Sequence, residues 1–354
     1  RFGREIDYMR ISVIDSCNLN CYYCNPCDNN EHCHALNILS VKEVLCIVRA
    51  ATRLGIKHFR LTGGEPLLHP QLDEMVLQIK KIPGVSSVSL TTNAVLLAQH
   101  AKWLKEAGID SINVSLDTID ASEYEHITKK PLLEEVKHGI NAAIECGIRV
   151  KINVVLTPQT DVVALTRYAS KKGTDIRFIE MMPVGEGHTN GVEPYEKVIG
   201  ALLEVYGTPC HIDTENREEI NSGYNNADNG PAEYYSFHGL NIRVGLIQAI
   251  HGKFCDTCNR IRVTADGRLM PCLGSSVTMD LVPDSCEFTG DLEKDFVIVQ
   301  ALKAAIKAKP GCHNFNDNAV TYTKTTETKT VETKTTELKA AEVNAARNMS
   351  RIGG

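Results

Sequence analysis

Six short segments rich in β-branched and aliphatic residues recur along the first half of the chain: "YMRISVI", "HFRLTGG", "SVSLTTN", "SINVSLDT", "RVKINVVL" and "DIRFIEMM". Each reads as a buried strand, and helical patterns lie between and after them. From Ser40 to Leu54, for example, Ser40 and Glu43 form a capping-box pair and Gly55 supplies a stop. Strand followed by helix, repeated in this way, implies right-handed crossovers and a parallel sheet with its chemistry at the C-terminal ends of the strands. The polar signals "TGGEP", "TTN", "SLDT" and "MMPVG" fall at those ends. Six units are too few for a closed (β/α)8 barrel; they leave a partial barrel with a side opening, or an open doubly wound sheet.

A chain of 354 residues has room for roughly two domains. Residues 1–206 hold the six units. From 207 to 354 the pattern changes to a Gly- and Asn-rich connection and shorter strand-like pieces, "LNIRVGLI" and "NRIRVTADGRLMPCL", which form a smaller second domain. Near residues 321–342 a ten-residue near-repeat, "TKTTETKTVE" then "TKTTELKAAE", reads as a mobile insertion ahead of a terminal Gly-Gly. The net charge of -6 is spread along the chain, so neither nucleic acid nor an anionic membrane is an expected partner. An anionic ligand must be met by a few local cations. No apolar run approaches the roughly 18 residues of a membrane span, and "RFGREIDYMR" lacks the apolar stretch of a secretory signal. The expected location is cytoplasmic, or the mitochondrial matrix if the source is eukaryotic. In that setting thirteen cysteines point to metal or redox chemistry more than to disulfides.

Cys17, Cys21 and Cys24 follow the first strand with the spacing C-x3-C-x2-C. Such a loop can gather three thiolates around a cubic iron-sulfur cluster and leave the fourth iron without a protein ligand. An open iron can bind a small molecule and pass it an electron, which a fully ligated zinc cannot do. Cys27 extends the run to C-x2-C-x2-C, the opening of a bacterial ferredoxin motif, although Glu31 stands where that motif needs its next cysteine. Zinc or a fully ligated electron-transfer cluster is the competing reading. Cys255, Cys258 and Cys272 form a second set, C-x2-C-x13-C, for which a zinc knuckle completed by His251 or Cys286 is the alternative. The other seven, Cys27, Cys33, Cys46, Cys146, Cys210, Cys286 and Cys312, show no comparable spacing, and Cys46 and Cys146 read as small apolar core residues.

"LTGGEP" after the second strand lets the backbone approach a ligand, with the Glu65 carboxylate offered to a cation. Together with the first cysteine motif it resembles the radical S-adenosylmethionine (SAM) superfamily. The series "DYMRISVIDSCNLNCYYC", "RLTGGEPLL", "TTN", "VSLDT", "VKINVV", "RFIEMMPVGEG", "CDTCNRIRVTADGRLMPCL" and "MSRIGG" is similar, in order and almost end to end, to the GTP 3′,8-cyclase family of molybdenum cofactor biosynthesis.

The resemblance implies a fold, cofactors and a reaction. The fold is α/β, a partial (β/α)6 TIM-type barrel with a smaller C-terminal α+β domain. Two [4Fe-4S] clusters would be held by Cys17, Cys21 and Cys24 and by Cys255, Cys258 and Cys272. The first cluster would reduce SAM to methionine and a 5′-deoxyadenosyl radical; the second would hold the guanine base, the two open sites facing each other across one cavity. Tyr23, Gly64, Ser115 and Met182 would contact SAM. Arg10, Arg60, Thr91, Lys151, Arg260 and Arg262 would contact GTP, whose triphosphate needs converging cations. The implied reaction removes the ribose 3′ hydrogen and closes C3′ onto C8, giving (8S)-3′,8-cyclo-7,8-dihydroguanosine 5′-triphosphate. Implied partners are reduced flavodoxin or ferredoxin as electron donor, cyclic pyranopterin monophosphate synthase downstream, and a second copy in a homodimer. The Gly353–Gly354 tail would reach the active site.

Apart from the family match, Arg10, Arg60 and Lys151 lie in strands that otherwise read as apolar, where a charge needs a partner or an opening. Arg260 and Arg262 alternate in a strand and so share one face. The sequence departs from the family pattern at Ser16, His58, Ala94 and Cys27, and in the Thr/Lys/Glu insertion. Two alternatives remain at this stage. One is a radical SAM enzyme that modifies a peptide or another cofactor; the other is an iron-sulfur electron carrier.

Overall fold

The computed structural model describes residues 2–24, 37–183, 192–212, 230–275, 278–281, 295–313 and 315. Cys27, Cys33, Cys286, the Thr/Lys/Glu near-repeat and the Gly353–Gly354 tail lie outside the described residues.

All six expected strands form. They are β1 (Tyr8–Ser12), β2 (His58–Thr62), β3 (Ser87–Thr92), β4 (Ser111–Ser115), β5 (Arg149–Val155) and β6 (Asp175–Ile179), each parallel to the next. The helices between them are α1 (Val41–Thr52), α2 (Leu72–Lys80), α3 (Leu97–Glu106), α4 (Ala121–Thr128), α5 (Leu133–Glu145) and α6 (Val162–Lys172); α7 (Pro194–Tyr206) follows β6. Helix α1 starts at the expected capping box: Glu43 N donates to Ser40 Oγ at 3.3 Å and Ser40 N donates back to Glu43 Oε2 at 2.7 Å. At the other end of the series, α6 is stopped by Gly173, whose φ of +63° suits glycine. The crossover from β4 to β5 holds two helices where the sequence pattern suggests one. The extra one, α4, is short and begins at Asp120, which accepts from Glu123 N at 2.8 Å.

Beyond α7 come β7 (Cys210–Ile212), β8 (Glu233–Ser236), β9 (Val244–Ile247), β10 (Arg260–Val263), β11 (Arg268–Met270), β12 (Met279–Asp280) and α8 (Asp295–Ala308). These strands join the same sheet. β9 pairs parallel with β6 and β10 pairs parallel with β1, giving the order β12-β11-β10-β1-β2-β3-β4-β5-β6-β9-β8-β7. The outermost strands β12 and β7 do not pair, so the barrel is partial.

Period two divides the sheet into an apolar outer face and a polar inner one. Met9, Phe59, Val88, Leu90, Ile112, Ile152 and Phe178 are buried against the helices. Full burial of one such side chain contributes about 1.5–3 kcal/mol. The alternate residues face inward in rows fixed by the strand register. One row reads Arg262, Arg10, Arg60, Ser89, Ser111 and Arg149; a second reads Thr91, Asn113, Lys151 and Asp175; a third reads Ser115, Asn153, Arg177 and Gly245. An interior so rich in cations has to meet an anion or water. Among the described residues, no helix is long and apolar enough to cross a membrane.

Candidate functional site

The loop after β1 carries Cys17, Cys21 and Cys24 and is clamped between two pieces of backbone. On one side Gly64 N donates to Ile14 O at 2.7 Å and Glu65 N to Ser16 O at 2.8 Å. The approach is so close that a Cβ on Gly64 would lie 2.2 Å from the Ser16 carbonyl oxygen, which leaves room only for glycine. On the other side Asn20 N and Tyr22 N donate to the carbonyls of Thr128 and Ile127, at 3.0 and 3.1 Å. These are carbonyls that the end of α4 leaves without helical partners. The unexpected helix is therefore the shelf on which the cysteine loop rests.

Glu65 corrects an expectation. Among the described residues its carboxylate meets no cation but is spent inside the fold, accepting from Leu67 N at 3.0 Å, Thr92 Oγ1 at 2.7 Å and Asn93 N at 2.7 Å. Burial pushes its pKa up to about 7 against the pull of those bonds. It ties the glycine turn to the end of β3, and Asn93 in turn reaches Asn18 Oδ1 at 2.7 Å beside Cys17.

Tyr23 turns its hydroxyl onto the Asp117 carboxylate, which also accepts from Val155 N at 2.8 Å. Burial raises Asp117 to about 6. The pKa values of all three thiols are shifted upward. Burial is the first cause, lifting Cys17 to about 11, Cys24 to about 12 and Cys21 well above its usual value; for Cys21 the charges of Cys24, Asp117 and Cys17 add to it. Buried thiolates that repel one another need a cationic core, and an iron-sulfur cluster supplies one.

The second set lies at the opposite end of the barrel. Because β10 runs parallel to β1, Cys255 and Cys258 stand just before its N-terminal end, whereas the first set follows the C-terminal end of β1. Five residues of strand span about 16 Å, so the inner rows of cations run between the two sets of thiols. Burial raises Cys255, followed by the charges of its neighbours. Burial alone would raise Cys258 as well, but Arg260 and Lys309 bring it below its usual value. Lys309 is itself buried, donating to Arg260 O at 2.8 Å and Pro271 O at 3.0 Å. His251 turns Nδ1 to the buried Glu180 carboxylate. Among the described residues, no three His, Cys, Asp or Glu side chains converge closely enough to hold one metal ion.

The four residues expected to meet SAM ring one rim. Tyr23 and Gly64 follow β1 and β2, exposed Ser115 ends β4, and half-buried Met182 follows β6. The six expected to meet GTP line the interior. Arg60 Nε donates to the Tyr8 hydroxyl and its Nη1 to Thr91 Oγ1 at 3.3 Å, while the Arg260 guanidinium lies over the Phe254 ring at 5.2 Å. Arg10 is depressed well below its usual value by burial and then by Arg262 and Arg60, and Arg262 is lowered to about 10 by burial and then by Arg260. Lys151 falls to about 5, through burial and then Arg177 and Arg149.

Arg177, Asp117 and Lys309 are site residues that the sequence reading passed over. Arg177 sits in the apolar strand "DIRFI" and could have been found by the rule that picked out Arg10, Arg60 and Lys151. Its Nε donates to Asn153 Oδ1 at 3.0 Å, and Gly245 makes room for it: a Cβ there would lie 2.8 Å from Arg177 Cγ. Asp117 lies in the quoted "VSLDT". Lys309, just past the end of α8, gives no local signal. Within this interior Arg177 Nη2, Arg260 Nε and Arg262 Nη1 are buried without a hydrogen-bond partner among the described residues. Orphaned guanidinium nitrogens on one face fit a polyanionic ligand.

Residues 11–166 match the model of the Radical SAM superfamily, and residues 174–315 match that of Molybdenum Cofactor Synthesis C. The chain is 36% identical over 319 residues to the GTP 3′,8-cyclase of Clostridium perfringens strain SM101, covering 89% of this chain and 94% of that one. It is 37% identical over 320 residues to the GTP 3′,8-cyclase of Pelotomaculum thermopropionicum, with 88% and 94% covered. Two solved structures share the fold. Streptococcus suis SuiB bound to S-adenosylmethionine matches at a TM-score of 0.54 and 17% identity over 84% of this chain and 66% of that one, and anSMEcpe with bound AdoMet matches at 0.53 and 16% over 84% and 83%.

Proposed function

Because this chain belongs to the GTP 3′,8-cyclase family of radical SAM enzymes, we propose that its two thiol sets and the cations between them divide that family's reaction between the two ends of one barrel. The enzyme converts GTP to (8S)-3′,8-cyclo-7,8-dihydroguanosine 5′-triphosphate by 3′-hydrogen abstraction and attack on C8, the first step of molybdenum cofactor biosynthesis. With SAM and a [4Fe-4S] cluster bound, the first site supplies a one-electron reductive cleavage and, from it, the hydrogen-abstracting radical.

The chain's own residues bind, orient and shield. Cys17, Cys21 and Cys24 would hold the first cluster, and Tyr23, Gly64, Ser115 and Met182 would seat SAM. Asp117 fixes the Tyr23 ring. Cys255, Cys258 and Cys272 would hold the second cluster, which would supply an open iron for the guanine base. Arg10, Arg60, Thr91, Lys151, Arg260 and Arg262, with Arg177 added, grip the rest of the nucleotide, and fixed guanidinium groups cost little reorganisation as charge shifts. The functional division falls after α7, with SAM served by residues 1–206 and the base by residues 207–354. Sets of free thiols suit a reducing compartment, which supports a reading of the enzyme as one of the cytoplasm or the mitochondrial matrix. There reduced flavodoxin or ferredoxin would supply the electron, and cyclic pyranopterin monophosphate synthase would consume the product.

The observation that most supports this division is the set of three orphaned guanidinium nitrogens, on Arg177, Arg260 and Arg262, between the two thiol sets. The direct test is SAM cleavage by anaerobically reconstituted protein. 5′-Deoxyadenosine formation should rise strongly with GTP, and mass spectrometry should find the cyclised nucleotide; equal cleavage with and without GTP would overturn the reading. Arg262→Ala should weaken GTP binding about 10- to 100-fold, the loss of a charged hydrogen bond, with both clusters intact. Normal turnover in that variant would remove Arg262 from the site.

Lys151 gives a pH signature. Its pKa lies near 5, so it is neutral at pH 7, and a triphosphate beside it would restore the charge. GTP binding should therefore take up a proton, so that affinity falls as pH rises above about 5 and until the bound-state pKa is passed. Calorimetry in buffers of different ionisation enthalpy reads this directly. An enthalpy independent of buffer, or no change on Lys151→Met, would contradict it.

A further inference from the structure

Cys312 belongs to neither ligand set, yet the fold brings it to the second one. It follows α8 on a short strap that is fastened on both sides of Cys255 and Cys272. Before it, Lys309 Nζ bonds Pro271 O at 3.0 Å, next to Cys272. Arg4 joins the strap to the cysteine loop directly, with Nη1 on Cys255 O at 2.8 Å and Nη2 on Pro310 O at 2.6 Å. After it, His313 Nε2 bonds Ala249 O at 2.7 Å, and its Cβ lies 3.0 Å from where a Cβ on Gly274 would stand. Cys312 is exposed, with its thiol free of any disulfide. The backbone N–H of His313, the residue after Cys312, bonds to the Cys255 thiol, so the strap brings Cys312 to the end of the barrel where Cys255, Cys258 and Cys272 stand, as a fourth thiol.

Three of them account for three irons of a cubic cluster. We propose that Cys312 supplies the fourth thiolate, holding the remaining iron of the second cluster while no nucleotide is bound, so that GTP enters by displacing it. The exchange breaks one iron–sulfur bond and forms one bond from iron to a guanine nitrogen or oxygen. The cysteine leaves as thiolate, and no electron changes hands. The displacement half rests on the cyclase reading; the ligation half does not. A resting cap of this kind lowers apparent GTP affinity by the fraction of protein in which the iron is closed.

The test uses the full chain with Cys17, Cys21 and Cys24 all changed to alanine, so that only the second cluster assembles from ⁵⁷Fe. Mössbauer spectra are compared with Cys312 present and as Cys312→Ala or Cys312→Ser. With Cys312, all four irons should show sulfur ligation; in Cys312→Ala one iron should separate with a higher isomer shift, and GTP should bind about tenfold more tightly. Identical spectra with and without Cys312 overturn the proposal, and if GTP still perturbs the cluster in both, the cyclase reading survives that failure. A spectrum that changes on Cys312→Ala while GTP binds neither protein establishes the fourth ligand and removes the nucleotide reading instead.

Discussion

Gly64→Ala should strip the first cluster from the protein. A Cβ at this position would sit 2.2 Å from Ser16 O, 2.5 Å from Ser16 C and 2.6 Å from Asp15 O, all of them backbone atoms of the cysteine loop. A flexible side chain could move aside, but this backbone is held by the bonds from Gly64 N to Ile14 O and from Glu65 N to Ser16 O. Relieving the clash breaks both, at about 1 kcal/mol each, and with the added strain the cost reaches the order of 3 kcal/mol. The loop is then displaced relative to its other anchor at the end of α4, and three thiols that must converge on one cube no longer do. Reconstituted Gly64→Ala should hold about four irons fewer per chain than the parent, retain the signal of the second cluster and release no 5′-deoxyadenosine. Full iron content with ordinary SAM cleavage would mean that the turn is not part of the site.

The two cysteine sets should fail differently. Serine offers a hydroxyl whose proton is far harder to remove than that of a thiol, and it is a poor ligand for iron. Cys17→Ser disables the end of the barrel where SAM is cleaved, and should abolish 5′-deoxyadenosine formation with or without GTP. Cys272→Ser leaves that end intact, about one strand length away, so slow cleavage should continue while no cyclised nucleotide appears. The measurement is the ratio of 5′-deoxyadenosine to cyclised product in each variant. Equal loss of both in both variants would contradict a division of labour between the ends.

The strands of the barrel were legible because alternation with period two and short apolar runs are local properties, and β1 to β6 fall on the expected segments. Helix α4 was not, since a short polar helix in a crossover leaves only a weak periodic signal. Its worth lies in the Ile127 and Thr128 carbonyls, which bind a loop more than a hundred residues earlier in the chain. Glu65 was misjudged for a related reason: a carboxylate after a glycine turn looks like a ligand until Thr92 and Asn93 are seen to enclose it. Arg177 was overlooked, although the same charge-in-a-strand logic applied to it. Lys309 and Cys312 could not have been found, because only the strap after α8 places them beside Cys258 and Cys255.

The sequence by itself determined which residue types are available and how they alternate: two triplets of thiols, a glycine turn without side chains, and cations on every second position of otherwise apolar strands. These follow from covalent spacing and the pleat of a strand, which a chain carries wherever it goes. Only the tertiary structure decided that β10 lies parallel to β1, which sends the second triplet to the far end of the barrel and aligns Arg262, Arg10 and Arg60 in one row between the two. The pairing of β1 with β10 is a contact between segments some 250 residues apart in sequence, chosen by the packing of the whole sheet, and no local pattern encodes it.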